Sequence, residues 1–254
     1  MENELEMEYT AESMGEYAAE VTAIARRPLK SRQTRWAARA AEMLARLGAT
    51  PNQISVLSVV MASLGAACLV LFKSSSPGWR SSLLLGAAAF IQLRLACNLL
   101  DGLVAIEGGL KTSSGEVFNE LPDRISDVAI LVAAGYSLPF GPWGRELGWA
   151  AALASVMTAY VRAFGGAAGL RQEFCGPMAK QHRMAVMTGA CLLGAAVEAI
   201  QWDGGGIGSV MGLIAEDVTG VMMALGLGVI LCGSLMTIAR RTRRIVMGLE
   251  GGRK

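Results

Sequence analysis

The sequence predicts an all-α integral membrane protein, with six transmembrane helices preceded by an interfacial amphipathic helix. Its 254 residues are 53% hydrophobic and only 17% charged, whereas soluble domains carry about a quarter charged residues. The apolar residues also fall in long blocks, each close to the roughly 20 residues that cross about 30 Å of hydrocarbon as a helix. One compact helical bundle is therefore expected.

Six apolar blocks are candidate spans: 53–73, 82–104, 123–140, 147–168, 184–201 and 219–239. The third block is the most polar, because Asp123, Arg124 and Asp127 lie at its start. An even number of spans places both termini on one side of the membrane, together with the 105–122 and 169–183 loops. Basic residues are concentrated in these segments, so the positive-inside rule predicts that they are cytoplasmic. We expect a multi-pass protein of an inner or plasma membrane.

The net charge of the N-terminal region changes abruptly from negative to positive along the chain. Residues 1–20 hold seven glutamates and no lysine or arginine, whereas residues 26–46 hold seven basic residues and the single Glu42. The acidic part is typical of a disordered tail, and a basic segment suits the anionic surface of the cytoplasmic leaflet. The predicted regions are an acidic tail, a basic interfacial helix, a six-helix transmembrane domain and a basic cytoplasmic tail, at 1–25, 26–49, 50–240 and 241–254.

The basic segment has the pattern of an amphipathic helix. Trp36, Met43 and Leu47 recur at helical spacing, and arginines occupy the rest of the wheel. Such a helix lies along a membrane interface with its arginines toward phosphates, although a soluble linker helix is an alternative. Pro51 then interrupts the pattern, and Thr50 is placed to cap the first span.

Composition argues against several kinds of site. The five cysteines show no Cys-x-x-Cys spacing, and His182 is the single histidine. Zinc sites and disulfide frameworks are therefore not predicted. No nucleic-acid partner is expected either.

The main functional signal is a polar cluster where the second span ends and the third begins. Asn98 and Asp101 are three residues apart, and Asn119, Asp123 and Asp127 are four apart, so each set shares one helical face. Charges within spans are costly and usually functional. A carboxylate at Asp101 opposes the helix dipole, so helix capping does not account for it. Oxygen ligands without His or Cys favour a hard cation such as Mg²⁺ or Mn²⁺.

This cluster resembles the signature of the CDP-alcohol phosphotransferase family. That signature reads Asp-x-x-Asp-Gly-x-x-Ala-Arg and, after a short gap, Gly-x-x-x-Asp-x-x-x-Asp. The segments from Asn98 to Ile106 and from Gly115 to Asp123 have the same spacing. Asn98, Asn119 and Ile106 replace the first aspartate, the third aspartate and the arginine.

The resemblance implies transfer of a phosphatidyl group from CDP-diacylglycerol to a small polar alcohol, phosphorylated or not, with release of CMP. It also implies that Asp123 is the general base, although Asp127 lies one turn further on and is an alternative. Mg²⁺ or Mn²⁺ would be held by Asn98, Asp101, Asn119 and Asp123. The two asparagines remove two negative charges, so one well-held cation is expected in place of a pair. Relatives of this architecture are commonly homodimers.

Two further sets of residues are candidates for substrate binding. The CDP moiety would contact Gly102, Ala105 and Gly115, and Arg94 or Arg124 could stand in for the missing arginine on the pyrophosphate. A basic cluster of Arg162, Lys180 and Arg183 could bind an anionic acceptor or the lipid phosphate, or could simply extend to the interface.

Two alternative functions remain open at this point. A soluble CDP-alcohol could donate its head group to a lipid alcohol, since the motif does not decide which substrate carries CDP. A non-catalytic membrane homologue is the other alternative, and the asparagines at 98 and 119 are its main support.

Overall fold

The computed structural model describes residues 34–107, 115–202 and 208–251, and the regular structure in these ranges is helical. The acidic tail, the start of the basic segment and part of the motif loop (108–114) lie outside the described residues. The described helices are α1 (Arg35–Arg46), α2 (Pro51–Ser74), α3 (Pro77–Glu107), α4 (Gly115–Ser137), α5 (Pro142–Ala167), α6 (Lys180–Trp202) and α7 (Gly208–Gly251).

The first long helix begins at a capping box. The Thr50 hydroxyl accepts the Gln53 backbone N–H at 3.3 Å, and the Gln53 side-chain oxygen accepts the Thr50 N–H at 3.0 Å. Pro51 occupies the first helical turn, where a missing N–H costs no hydrogen bond. The prediction that Thr50 caps this span is confirmed. Gly48, with φ of 77°, provides the left-handed residue just after α1.

Five described helices are long and apolar enough to cross a membrane, namely α2, α3, α5, α6 and α7. They coincide with the first, second, fourth, fifth and sixth predicted spans, so the chain is an all-helical membrane protein. Helix α4 coincides with the third predicted span, but its first half carries Glu120, Asp123, Arg124 and Asp127. Whether α4 also crosses the membrane remains a prediction.

Six helices pack in a closed ring. Helix α2 contacts α3 and α4, α6 contacts α3 and α7, and α5 contacts α4 and α7. A continuous apolar core fills the ring, with Leu69, Leu84, Ile91, Leu131 and Met187 fully buried in it. The ring brings the cluster-bearing end of α3 and start of α4 close to the start of α6, far away in sequence.

Helix α1 lies against the outside of this ring. Its small residues Ala37 and Ala41 are buried in a second apolar cluster with Leu103 and Val104 of α3. Two large apolar side chains of α1, Trp36 and Met43, are exposed. This arrangement leaves an apolar surface available to lipid, and the interfacial position of α1 remains a prediction.

Glycines allow α4 and α5 to pack with their backbones in contact. A Cβ atom added to Gly148 of α5 would lie 2.8 Å from the Gly135 Cα of α4 and 2.9 Å from the Leu131 carbonyl oxygen. Neither backbone atom can move aside cheaply. Close approach through small residues is a common way for transmembrane helices to associate, because hydrocarbon provides no hydrophobic force between them.

The α4–α5 contact predicts a specific effect on stability. Gly148→Ala should destabilise the protein by about 1–3 kcal/mol, because the added methyl group overpacks a backbone contact. Gly189→Ala is the matched control, since a Cβ there meets nothing within 4 Å. Thermal unfolding in detergent should show a lower Tm for Gly148→Ala alone. Equal Tm values for both variants would contradict the described packing.

Candidate active site

The centre of the polar cluster is the Asp127 carboxylate of α4, which is fully buried. Its Oδ1 accepts a hydrogen bond from Arg94 of α3 at 2.7 Å, and its Oδ2 accepts one from Arg183 of α6 at 2.7 Å. The Ser155 hydroxyl of α5 donates to Oδ2 at 3.2 Å. Both carboxylate oxygens are therefore occupied, and one side chain links four helices.

The Arg94 guanidinium is also fully buried, and it connects Asp127 with Asp123. The same Nη2 that binds Asp127 lies 3.1 Å from the Asp123 carbonyl oxygen and 3.4 Å from Asp123 Oδ1. Because Asp123 and Asp127 are one turn apart, one arginine can contact both. Arg94 is one of the two arginines predicted to bind the CDP pyrophosphate, with Arg124 as the alternative, and in the structure its guanidinium contacts both carboxylates.

The Asp123 carboxylate is held by lysine and arginine side chains. Its Oδ2 forms an ion pair with Lys180 at the start of α6 and lies 3.7 Å from the Arg124 guanidinium. Asp123 is almost completely buried, while Lys180 keeps about a quarter of its side chain exposed (24%). The predicted basic cluster and the predicted base are thus in direct contact.

Asp101 is the one motif carboxylate with an oxygen left free among the described residues. It is 3% exposed, and its Oδ2 accepts a hydrogen bond from the Ser55 hydroxyl of α2 at 2.7 Å. Its Oδ1 is buried and has no hydrogen-bond partner within the described part of the chain. Asp101 is close enough to Asp123 and Lys180 to interact with both electrostatically.

Asn98 lies one turn before Asp101, and its amide nitrogen is likewise buried without a partner in the described ranges. The amide oxygen and nitrogen are exchanged by a simple flip of the side chain, so Asn98 can offer an oxygen instead. Asp101 and Asn98 together therefore fit a hard cation that completes its shell with water and phosphate oxygens. No group of three or more His, Cys, Asp or Glu side chains that could hold a metal exists among the described residues.

Glu120, one turn before Arg124, carries a second ion-pair group. Its Oε1 pairs with Arg162 of α5, and its Oε2 lies 3.2 Å from Arg124. Burial alone would raise the pKa of Glu120, but the guanidiniums of Arg162 and Arg124 outweigh it and hold the pKa below its usual value. This carboxylate therefore stabilises the fold at neutral pH, and its contribution disappears as the pH falls through the lowered pKa.

The other predicted site residues belong to the same helices, α3, α4 and α6. Gly102, Ala105 and Gly115 are half-buried at the facing ends of α3 and α4, and Asn119 is exposed on the first turns of α4. Arg183 is almost fully buried, and its second nitrogen donates to the Met178 carbonyl oxygen at 3.2 Å. The structure thus brings Asp101, Asp123, Lys180 and Arg94 together, with Arg162 beside them through Glu120.

Three polar residues of the site were not predicted from the sequence. Ser55 holds Asp101, Ser155 holds Asp127, and Thr158 accepts a hydrogen bond from Arg183 at 3.3 Å. Ser155, Thr158 and Arg162 follow one another at spacings of three and four in an otherwise apolar span. That polar stripe on one face of a membrane helix was the signal available for two of them.

The fold is shared with a solved membrane enzyme. Phosphatidylinositol phosphate synthase (PgsA1) of Mycobacterium tuberculosis with CDP-DAG bound gives a TM-score of 0.60 at 24% identity, over 84% of this chain and 94% of that chain. Its complex with manganese and citrate gives 0.59 at 24% identity, over 82% and 88%. The apo form gives 0.51 at 26% identity, over 79% and 94%.

By sequence, no family profile and no curated protein matches this chain. The similarity to the synthase therefore lies in the arrangement of helices, over nearly the whole length of that enzyme.

The ion pairs of Asp127 predict a large effect of one substitution. Asp127→Asn keeps the shape of the side chain but removes the close countercharge of both arginines, so that Arg94 keeps only its longer contact with Asp123 and Arg183 loses its acidic partner. This loss should cost about 3–5 kcal/mol. Glu42→Gln, which removes an exposed partner of Arg46 on α1, is the control. Thermal unfolding in detergent should show a much lower Tm for Asp127→Asn only. A Tm equal to that of the wild type would mean that this network does not hold the helices together.

Proposed function

We propose that this protein is a membrane-bound CDP-alcohol phosphatidyltransferase of the CDP-alcohol phosphotransferase family. It transfers the phosphatidyl group of CDP-diacylglycerol to the hydroxyl of a small polar alcohol, phosphorylated or not, and releases CMP. The observation that carries the proposal is the buried carboxylate of Asp101, whose Oδ1 has no partner among the described residues and which lies within electrostatic range of Asp123 and Lys180. The fold similarity to a synthase solved with CDP-DAG supports the same assignment.

In this proposal all six long helices, including α4, cross the membrane, and the site opens to the cytoplasm. The basic residues on the side of the site support this orientation. Helix α1 lies in the interface beside the end of α3, and a homodimer is the assembly that the family resemblance implies.

A divalent cation, Mg²⁺ or Mn²⁺, would be held mainly by Asp101 and Asn98, with Asn119 and Asp123 as the other ligands. When bound, it would neutralise charge on the phosphate oxygens and make CMP a better leaving group. The free Oδ1 of Asp101 is the feature that favours this assignment. Lys180 already neutralises Asp123, which supports a single cation in place of a pair.

Asp123 would act as the general base. The acceptor hydroxyl oxygen attacks the phosphorus of the phosphatidyl group, and its proton passes to the Asp123 carboxylate. The bond between this phosphorus and the oxygen that links it to CMP breaks, so that CMP leaves with that oxygen. An alcohol is a weak nucleophile at neutral pH, which is why a positioned base is needed.

Lys180 prepares this step, because a substrate phosphate competes with Asp123 for its ammonium group. Once Lys180 turns toward a phosphate, Asp123 Oδ2 is free to take a proton. Arg124 and Arg162 are the other half-exposed cations beside the site, and they would bind the pyrophosphate and the acceptor. Asp127 serves as a positioning residue in this proposal, since its two oxygens are taken by arginines.

One assay separates the candidate functions. Purified protein in detergent is incubated with labelled CDP-diacylglycerol, Mg²⁺ and a panel of alcohols that includes serine, glycerol 3-phosphate, inositol and inositol phosphate. The proposal predicts CMP release that depends on one acceptor. CMP release only from a soluble CDP-alcohol, with diacylglycerol as the acceptor, would mean that the soluble substrate carries CDP. No CMP release from either donor would indicate a non-catalytic homologue.

The metal assignment is tested separately. Asp101→Asn should lower kcat by on the order of 100-fold or more at saturating Mg²⁺, and it should also weaken Mn²⁺ binding measured by electron paramagnetic resonance without substrates. Glu146→Gln, at an exposed position on α5, is the control and should change neither quantity. Full turnover by Asp101→Asn would refute the role of this residue as a ligand.

A further inference from the structure

The Glu120 carboxylate lies between two guanidiniums in a way that a substrate anion could reproduce. Its two oxygens are divided between Arg162 of α5 and Arg124 of α4. Phosphate and carboxylate groups are the anions that arginine side chains bind through paired hydrogen bonds. Glu120 therefore fills, from within the chain, a place that suits an incoming anion.

The surroundings of Glu120 resemble an anion site more than a surface ion pair. The Arg162 guanidinium is 5.5 Å from the centre of the Phe174 ring, and its Nε is buried without a partner among the described residues. Lys180 is close enough to act electrostatically on Glu120. Three cations thus act on this one carboxylate, and the Nε–H group of Arg162 is a further donor that no described residue accepts.

The two sides of the pair differ in freedom to move. The Glu120 side chain is 43% exposed, whereas those of Arg162 and Arg124 are 20% and 19% exposed. Arg162 is also fixed from one side by Phe174. A competing anion would therefore displace the carboxylate and leave the guanidiniums in place.

We propose that Glu120 is an internal occupant of the site that binds the anionic group of a substrate, and that a phosphate group binds by displacing it from Arg162 and Arg124. The inference rests on the proposed function for the identity of the substrate, but not for the exchange itself. An ion pair in the empty site avoids a half-buried guanidinium without a countercharge. The ion pair also selects which molecules bind, because neither a neutral alcohol nor a weakly binding anion can displace the carboxylate from the two guanidiniums.

The test measures binding of inorganic phosphate to the purified protein in detergent by isothermal titration calorimetry. Glu120→Gln keeps the shape and the hydrogen-bonding oxygen but removes the competing charge. The Kd for phosphate should fall by about 10-fold or more, since a unit negative charge beside the bound anion is removed. Glu120→Ala, which removes the whole carboxylate, should also tighten binding.

Two further variants locate the effect. Glu120→Gln combined with Arg162→Gln should lose the added affinity, because the anion then lacks its main partner. Glu42→Gln, which breaks the exposed Glu42–Arg46 pair of the same i, i+4 type as Glu120–Arg124, should leave the Kd unchanged. An unchanged or weaker affinity in both Glu120 variants, or tighter binding that persists without Arg162, would overturn the inference.

The outcome is independent of catalysis. Tighter phosphate binding by Glu120→Gln, together with no CMP release from any donor, would support the anion site and refute the proposed function. Normal CMP release, together with no effect of the Glu120 variants on phosphate binding, would support the proposed function and refute the anion site.

Discussion

The rest of the structure depends on the buried ion pairs between Asp127 and the two arginines Arg94 and Arg183. Three charged groups far from water are costly, and they are tolerated only because each carboxylate oxygen receives a close hydrogen bond. The three residues belong to α4, α3 and α6, and Ser155 adds α5. Their shared geometry sets how these four helices meet. The apolar core supplies most of the packing, but it does not specify this one polar arrangement.

That arrangement gives neighbouring groups different chemical roles. Both oxygens of Asp127 are buried in ion pairs, whereas Asp123, one turn earlier, is paired with the partly exposed Lys180. Asp101 on α3 keeps one oxygen without a partner among the described residues. Three aspartates in similar sequence surroundings thus become a positioning residue, a candidate base and a candidate metal ligand. The difference arises from the hydrogen-bond and ion-pair partners of each carboxylate oxygen, and burial alone does not distinguish the three aspartates. At the edge of the site, the Glu120 carboxylate is likewise defined by its partners, Arg162 and Arg124, to which we propose that a substrate anion binds.

The sequence allowed five of the six apolar spans and the Thr50 cap to be predicted, because each depends on residues close together in the chain. The ends of the helices were predicted less accurately. The third span was predicted to reach residue 140, but α4 ends at Ser137 because Pro139 cannot continue a helix. The partners of Asp127 were not predictable either, since helical spacing defines a shared face but not the residues of another helix that meet it. Arg94 and Arg183 lie 33 and 56 residues away in sequence.

The role of Asp123 as the general base is tested most directly by the rate of CMP release from CDP-diacylglycerol, measured side by side for the wild-type protein and for Asp123→Asn. Asparagine keeps the size and a carbonyl oxygen at this position but cannot take the acceptor proton. We expect acceptor-dependent CMP release by the wild type, and a rate lower by at least about 100-fold in the variant. Equal rates in the two proteins, with both still folded and dispersed in detergent, would contradict this role.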